Sequence, residues 1–344
     1  MSREPWVATV FRCAWGVFLA MLDPFATPHG ALTRRSTCGY TTQVRAGSAP
    51  RTSPRAGIAA VGLVALVVCA CASASGGAPP AGNARQSPAG LQSVVVSSQL
   101  LVGRQRVVLG VLDRNTPIND AQVRVRAYRG SPTDPLATEA PAEFKGEGLQ
   151  GRGVYVAYLT FEAPGPWLAE IAARLKGGPE SVTRVPLTVA TTGAVPGPGQ
   201  QAPPSRNLTR RDVSDVSFID SGIPPDDMHE LSIADVIAQH DAALIVFATP
   251  AFCTSAMCGP EVNAVQQLEP AYHARIAFIH VEIYRDFKPD PSKMSLTPTV
   301  LEWHLQTEPW VFLIDATGVI RYAFEGPTAT DELRTALEAM LAPR

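Results

Sequence analysis

The amino-acid sequence predicts two folded domains, an all-β N-terminal sandwich and a C-terminal α/β domain with a mixed central sheet. Residues 93–191 contain short runs in which apolar and polar residues alternate, the strand pattern of a sandwich. Residues 213–344 show the order strand, helix, strand, hairpin and helix, which predicts an α/β sheet. The Pro- and Gly-rich stretch between them, residues 192–212, is predicted to be a linker.

The composition excludes several classes of protein. A hydrophobic fraction of 46% is that of a globular chain, which excludes disorder throughout. The formal net charge of −2 gives no electrostatic basis for binding nucleic acid, so we expect no nucleic-acid partner. Beyond residue 71 the chain has only two cysteines, Cys253 and Cys258, which argues against a disulfide framework and against a four-cysteine zinc site.

Residues 44–71 have the pattern of a secretory signal. The run GIAAVGLVALVVCA, residues 57–70, carries no charge, follows Arg51 and Arg55, and precedes small residues. A helix that spans a bilayer needs about 20 apolar residues, and this run is shorter. The sequence Val68-Cys69-Ala70-Cys71 resembles a bacterial lipobox, which implies that Cys71 carries a lipid and holds the protein on the outer face of the membrane, in the bacterial cell envelope. Ordinary signal cleavage and an uncleaved anchor are the alternatives.

The segments on either side of this signal differ in character. Residues 1–43 show no periodicity and precede a signal that normally stands at the N-terminus, which leads to the hypothesis that translation begins at Val44. A peptide from residues 1–43 in mass spectra of the precursor would disprove it. Residues 72–92 are rich in Gly, Pro, Ala and Ser, and are predicted to be a flexible tether.

The predicted β-sandwich contains about seven short strands separated by turns. The clearest strands are residues 105–112, 121–126, 154–159 and 182–189. The stretch from Gly153 to Trp167 resembles the final hairpin of immunoglobulin-like modules on exported bacterial proteins, which implies an immunoglobulin-like sandwich. Trp167 is expected in the core, and the domain shows no catalytic pattern.

The C-terminal domain begins its regular structure with a capping box of Ser232 and Asp235, which starts a helix. The other elements follow from apolar runs and their periodicity. They are strands at 242–247 and 276–283, a helix at 260–271, a hairpin of 310–314 and 319–324, and a closing helix at 328–342.

Two motifs of this domain resemble the thioredoxin-like thiol-disulfide oxidoreductase superfamily. Residues 247–260, FATPAFCTSAMCGP, resemble its active-site loop, because they leave a buried strand, place an aromatic residue before the first Cys and enter a helix. Residues 308–315, EPWVFLID, resemble its cis-proline segment. The resemblance implies a thioredoxin-like fold for residues 213–344.

The resemblance also implies an activity. Cys253 and Cys258 would exchange disulfides with a protein of the cell envelope that carries a thiol or a disulfide, and Pro309 would place backbone beside the sulfurs. No cofactor and no metal ion is implied.

Elementary chemistry favours reactive thiols at this position. The thiolate is the reactive form, and a helix N-terminus lowers the pKa of a thiol. Pro260 belongs in the first turn of a helix, so the helix is predicted to begin near Cys258, with Cys253 in the loop before it. The sequence leaves open which thiol faces the helix; chain order assigns Cys253 as attacking and Cys258 as resolving.

The motif departs from thioredoxin in its spacing and in its acid. The spacing is C-x4-C, where thioredoxins have C-x2-C, and Phe247 stands at the position of their buried acid, so another group must transfer the proton. Atypical two-Cys peroxiredoxins share the C-x4-C spacing, which makes a peroxidase one alternative. Pro250 stands where those enzymes carry Thr, and Thr249 is displaced by one residue.

Two further alternatives remain. A Cu(I)-binding envelope protein would use both thiols and a distant histidine, for which His280 and His304 are the candidates. A static structural disulfide in an exported binding domain is the other. Asp226 and Asp227 follow Pro224-Pro225 and are expected to be solvated.

Overall fold

The structure is a computed structural model that describes residues 90–343. The predicted extension 1–43, the predicted signal with Cys71, and the predicted tether up to residue 89 lie outside the described residues. Within residues 90–343, no helix has the length and apolar character needed to cross a membrane. Residues 90–190 are called the β region, and residues 191–343 the α/β region.

The β region consists of nine strands in one sheet. They are β1 (Leu91–Val95), β2 (Leu100–Leu101), β3 (Gly103–Asp113), β4 (Thr116–Pro117), β5 (Gln122–Tyr128), β6 (Leu136–Lys145), β7 (Val154–Phe161), β8 (Gly165–Arg174) and β9 (Ser181–Ala190). Their order is β1-β3-β7-β6-β5-β8-β9-β2, with β4 beside β3. Strand β1 therefore starts within residues that the sequence assigned to the tether.

Strand β6 joins the two halves of this sheet. Its residues 136–142 pair with β5, and its residues 143–145 pair with β7. The sheet curls around one core, in which Leu159 from one half packs with Val125 and Ile171 from the other. The region is all-β as predicted, but its strands form one curled sheet, whereas a sandwich has two.

The expected hairpin between Gly153 and Trp167 is wrong in its pairing. Strand β7 pairs with β3 and β6, whereas β8 pairs with β5 and β9, so the chain crosses between the two halves of the sheet. Trp167 lies in the core as predicted: it is 2% exposed, and its indole N–H donates to the carbonyl of Ala163 at 3.0 Å.

The α/β region has the predicted order of elements, with short additions. Its helices and strands, in chain order, are α1 (Ile233–Gln239), β10 (Ala243–Ala248), α2 (Cys258–Gln266), α3 (Glu269–Tyr272), β11 (Ala277–Glu282), β12 (Tyr284–Arg285), β13 (Ser295–Leu296), α4 (Pro298–Glu302), β14 (Trp310–Ile314), β15 (Ile320–Glu325) and α5 (Thr330–Leu341). The capping box of Ser232 and Asp235 is present at the start of α1, as predicted.

The central sheet is mixed, as predicted, with the order β11-β10-β14-β15. Strand β11 is parallel to β10, whereas β14 is antiparallel to both β10 and β15. Side chains of β10 alternate between two cores: Ile245 and Phe247 pack on the side of α1 and α4, Leu244 and Val246 on the side of α2 and α5. Both faces of β10 are therefore covered, and its C-terminal end leads into the cysteine motif.

The predicted linker, residues 192–212, packs against the rest of the α/β region. Val195 and Ala202 are buried in the core on the α1 side of the sheet. Gln201 forms a β-bridge with Val319, just before β15. The Pro- and Gly-rich composition thus marks an ordered edge segment and not a free linker.

A buried arginine connects the β region to the α/β region. The guanidinium of Arg106 on β3 donates to both carboxylate oxygens of Glu332 at 3.0 and 2.9 Å. It also donates to the carbonyls of Glu325 and Pro327, at 3.0 and 2.8 Å. The side chains of Arg106 and Glu332 are only 9% and 6% exposed. The charge of Glu332 is therefore compensated by a residue from the other region.

A loop of the β region, residues 146–153, reaches the α/β region beside the cysteine motif. Leu149 is fully buried against Met257 and Ala264. Arg152 donates a hydrogen bond to the carbonyl of Ala256, which lies between the two cysteines. The β region therefore contacts the motif directly.

Candidate functional site

The Cys loop, residues 249–257, connects β10 to α2 through tight turns. The amide of Cys253 donates to the carbonyl of Thr249 at 3.0 Å, and the amide of Ala256 donates to the carbonyl of Cys253 at 3.2 Å. Ala256 has a φ of 54°, in the left-handed region. These turns bring Cys253 back to the start of α2.

Cys253 and Cys258 form a disulfide, with their Cα atoms 5.9 Å apart. Helix α2 begins at Cys258, as Pro260 predicted, and Cys253 lies in the loop before it. The amide of Cys258 donates to Cys253 Sγ at 3.2 Å. The sulfur that faces the helix N-terminus is therefore that of Cys253, which answers the question the sequence left open.

The two cysteines differ in exposure. Cys258 is fully buried, whereas Cys253 is only half-buried. The hydroxyl of Ser255 lies 3.3 Å from Cys253 Sγ and can donate a hydrogen bond to it. Cys253 therefore has the solvent access and the hydrogen-bond donors that a reactive sulfur requires.

Glu308 is the third group of the site. Its carboxylate and the two sulfurs lie within 4.8 Å of one another. The peptide bond between Glu308 and Pro309 is cis, as the resemblance implied for this segment. The proline segment thus brings a carboxyl group to the disulfide as well as backbone.

Glu308 provides an acid where the sequence offered none. Phe247 is fully buried and packs against Trp303 and Phe312, so the usual position of the acid is apolar. Burial raises the pKa of the Glu308 carboxyl above its ordinary 4.5, although hydrogen bonds from Thr254 act to lower it. A carboxyl with a raised pKa beside two sulfurs is suited to transferring protons.

Glu308 is one of the residues that line a cleft of about 480 Å³. Its walls are largely apolar and include Ile283, Val300 and Leu305. Leu301, on the rim, is 57% exposed. The Glu308 side of the disulfide is therefore next to an open, apolar surface.

Neither candidate copper ligand is grouped with the sulfurs. Among residues 90–343, the group of metal-ligating side chains around the disulfide adds only Glu308. His304 lines the cleft. His280 belongs to a separate group, the His/Asp cluster, which consists of Asp220, Asp226, His229 and His280.

The prediction that Asp226 is solvated is wrong, while Asp227 is exposed as expected. The side chain of Asp226 is 5% exposed, and its carboxylate lies 2.7 Å from Nδ1 of His280. Burial lowers the pKa of His280, but the charge of Asp226 and the hydrogen bond to it outweigh burial and raise the pKa to about 9. No local pattern separated the two aspartates, because the burial of Asp226 depends on a distant strand.

The position at which a peroxiredoxin carries threonine has no hydroxyl group in this chain. Pro250 occupies the position three residues before Cys253. The hydroxyl of Thr249 is buried and has no hydrogen-bond partner among the described residues.

No family model and no curated protein sequence matches the chain. Among solved structures, a thiol:disulfide interchange protein of the thioredoxin family from Chlorobium tepidum TLS is 16% identical, covers 44% of this chain and 99% of its own, and has a TM-score of 0.27. A DUF4426 family protein from Pseudomonas aeruginosa PAO1 is 17% identical over 30% of this chain and 91% of its own, with a TM-score of 0.23. The PmoD soluble domain from Methylocystis sp. ATCC 49242 (Rockwell) is 12% identical over 29% and 90%, with a TM-score of 0.21. Likenesses at this level do not identify a family, so function rests on the chain's own residues.

Proposed function

We propose that this protein exchanges disulfides with protein substrates through Cys253 and Cys258, in a thioredoxin-like α/β region. One observation carries the proposal: the more exposed sulfur, that of Cys253, accepts a hydrogen bond from the first amide of α2. A helix N-terminus stabilises a thiolate, which is the form that attacks disulfides. The buried Cys258 is suited to resolving the mixed disulfide.

The exchange transfers two electrons. The Cys253 thiolate attacks a substrate disulfide, one substrate sulfur leaves as a thiolate and takes up a proton, and the other remains bound to Cys253. The Cys258 thiol then loses its proton and attacks Cys253 Sγ. The Cys253–Cys258 disulfide forms, and the second substrate sulfur leaves as a thiol. The reverse sequence oxidises a substrate dithiol.

Glu308 transfers the proton in this scheme. Its carboxylate lies within 4.8 Å of both sulfurs, so it can accept the proton of Cys258 and return it to the leaving sulfur. Its raised pKa makes it a stronger base than an exposed glutamate. It replaces the acid that Phe247 displaces in this chain.

Glu308→Gln is expected to slow resolution of the mixed disulfide by about 100-fold or more, because the amide cannot accept the proton. Since burial raises the pKa of Glu308 above 4.5, the wild-type rate should rise with pH as this carboxyl ionises, and the variant should lack that step. Stopped-flow kinetics from pH 4 to 9 measure both effects. Glu162→Gln, at an exposed site of the β region, is the control. Identical pH profiles for wild type and Glu308→Gln would remove Glu308 from the scheme.

We further propose that the protein acts in the bacterial cell envelope, where its substrates carry thiols or disulfides and where a lipid on Cys71 holds it to the membrane. The support is the signal pattern of residues 44–71. We also propose that the β region is an immunoglobulin-like module of this exported protein. Labelling with radioactive palmitate should be lost in Cys71→Ser and retained in Cys69→Ser; label retained in Cys71→Ser would overturn the anchor.

The reduction potential of the Cys253/Cys258 pair tests the exchange proposal. We expect a value between about −120 and −270 mV, the range of catalytic pairs, from equilibration with glutathione buffers. A potential below about −300 mV, with no catalysed reduction of insulin, would identify a structural bridge instead.

A further inference from the structure

The His/Asp cluster is buried where a loop meets the central sheet. Asp220 and His229 are 1% and 2% exposed, His280 on β11 is 1% exposed, and the side chain of Asp226 is 5% exposed. One ligand atom from each of the four side chains lies within 4.8 Å of all the others. Two imidazoles and two carboxylates therefore converge in a site that excludes solvent.

Both oxygens of Asp226 and one oxygen of Asp220 lie within 4.0 Å of an imidazole nitrogen. His229 Nε2 lies 3.3 Å from Asp220 Oδ2 and 3.2 Å from Asp226 Oδ1. His280 Nδ1 lies 2.7 Å from Asp226 Oδ2 and 4.0 Å from Asp220 Oδ2. Four ligands placed tetrahedrally at about 2.0–2.1 Å from a zinc ion would be about 3.3 Å apart. The observed distances lie on both sides of that value.

Hydrogen bonds with the backbone orient three of the four side chains, those of His280, Asp220 and Asp226. His280 Nε2 lies 3.2 Å from the carbonyl oxygen of Ala248 and donates to it, so Nδ1 is the nitrogen that would give up its proton to bind an ion in the cluster. Asp220 accepts hydrogen bonds from the amides of Gly222 and Asp226, and Asp226 accepts one from the amide of Met228. Metal-binding histidines commonly donate their other N–H to a backbone carbonyl, and ligating carboxylates are themselves hydrogen-bonded.

Hydrogen bonds alone satisfy the polar atoms of the cluster less well than a bound cation would. His229 Nε2 carries at most one proton but faces two carboxylate oxygens at nearly equal distances, 3.3 and 3.2 Å. One N–H cannot align with both oxygens. A cation between the side chains would be bound by all four at once.

We propose that Asp220, Asp226, His229 and His280 bind one Zn²⁺ ion. Two carboxylates balance the charge of the ion and two neutral imidazoles complete a four-coordinate set, so the buried site is neutral overall. Four protein ligands leave no open position, which makes the site structural and not catalytic. This site is separate from the disulfide and does not depend on the exchange proposal.

The ion would fix the segment 220–229 to the sheet next to the Cys loop. His280 belongs to β11, and its ring contacts the last residue of β10, from which the Cys loop starts. Ser221, beside the first ligand, accepts a hydrogen bond from the amide of Ala251 in the Cys loop at 3.1 Å. Loss of the ion would therefore weaken the contacts that hold the Cys loop in place.

The test measures zinc in the full chain, purified without a histidine tag, with the Cys253–Cys258 disulfide oxidised and the other four cysteines alkylated, so that no thiolate can bind metal. Mass spectrometry of the elements should find about one zinc per chain. Removal of zinc by a chelator should lower the melting temperature, and one equivalent of Zn²⁺ should restore it. Co²⁺ added to the metal-free protein should give the visible spectrum of a tetrahedral site without thiolate bands.

Variants assign the site. In His280→Gln, zinc affinity should fall by more than the roughly 10–100-fold that loss of an outer-shell partner costs. His273→Gln, at an exposed position, is the matched control and should bind zinc as the wild type does. Wild-type protein that neither contains zinc nor gains thermal stability with Zn²⁺ would overturn the proposal. So would equal affinity in the two variants, or a cobalt spectrum with thiolate bands; the wild-type measurements decide the matter even if His280→Gln does not fold.

Discussion

Cys253→Ser is expected to reduce disulfide exchange to the uncatalysed rate, whereas Cys258→Ser should stop the reaction halfway. Cys253 is the sulfur that an external molecule can reach, and it faces the first amide of α2. Cys258 is fully buried and forms its disulfide with Cys253. The Cys258→Ser protein should therefore attack oxidised glutathione and retain one glutathione, because no second thiol resolves the adduct. Insulin reduction and intact-protein mass spectrometry measure the two effects.

A third variant is the control for both cysteine substitutions. Ser214→Ala, at an exposed position away from the loop, should exchange disulfides at the wild-type rate. If the glutathione adduct forms on Cys258 in Cys253→Ser and not on Cys253 in Cys258→Ser, the roles of the two cysteines are reversed. Wild-type activity in both single variants would place the chemistry elsewhere.

Arg106→Met is expected to lower the free energy of unfolding by about 3–5 kcal/mol, the cost of breaking one buried ion pair by removing a single partner. The substitution leaves the carboxylate of Glu332, whose side chain is 6% exposed, without its cation. It also removes the donors to the carbonyls of Glu325 and Pro327. Urea denaturation followed by circular dichroism gives the value.

The same substitution on another strand of the sheet separates the effect of charge burial from the loss of an arginine. Arg124 on β5 pairs with Glu139 at the surface, with side chains 50% and 42% exposed. Arg124→Met should therefore cost no more than about 1 kcal/mol. In the double variant with Glu332→Leu, much of the loss caused by Arg106→Met should be recovered, because no buried charge remains unpaired. Equal costs for the two single variants would mean that the Arg106 contacts contribute no more than a surface pair.

Local signals predicted the α/β region well. The Ser232 capping box and the hairpin of β14 and β15 involve residues close in sequence, and they form where the sequence placed them. The start of α2 followed from Pro260, because proline fits only the first turn of a helix.

The polar groups of both sites were harder to predict, because distant segments assemble them. Glu308 lies beside the cysteines because β14 pairs with β10, and no spacing in the sequence predicts that contact. Asp226 follows two prolines and has the local pattern of a solvated turn, but the position of His280 on β11 buries it. Sequence patterns describe neighbours along the chain, whereas these contacts depend on the packed sheet.

Strand positions and strand pairing in the β region were also hard to predict from the sequence. Strand β8 starts at Gly165, inside a Pro-Gly-Pro run that resembles a turn, and β6 contains Pro141. Turn-forming residues therefore concealed both strands. The pairing of β7 with β3, and not with β8, is a long-range choice that alternation alone does not specify.

The hydrogen bond from Arg152 to the carbonyl of Ala256 joins the β region to the ring of residues that the disulfide closes. Reduction opens this ring and leaves Arg152 a hydrogen-bond donor to the same loop. Thermodynamic linkage requires that any free energy the contact gains in one state shift the potential of the cysteines equally, with about 30 mV for each 1.4 kcal/mol. Changes in the β region can thereby tune whether the cysteine pair gives up or takes electrons, with no change to the cysteines themselves.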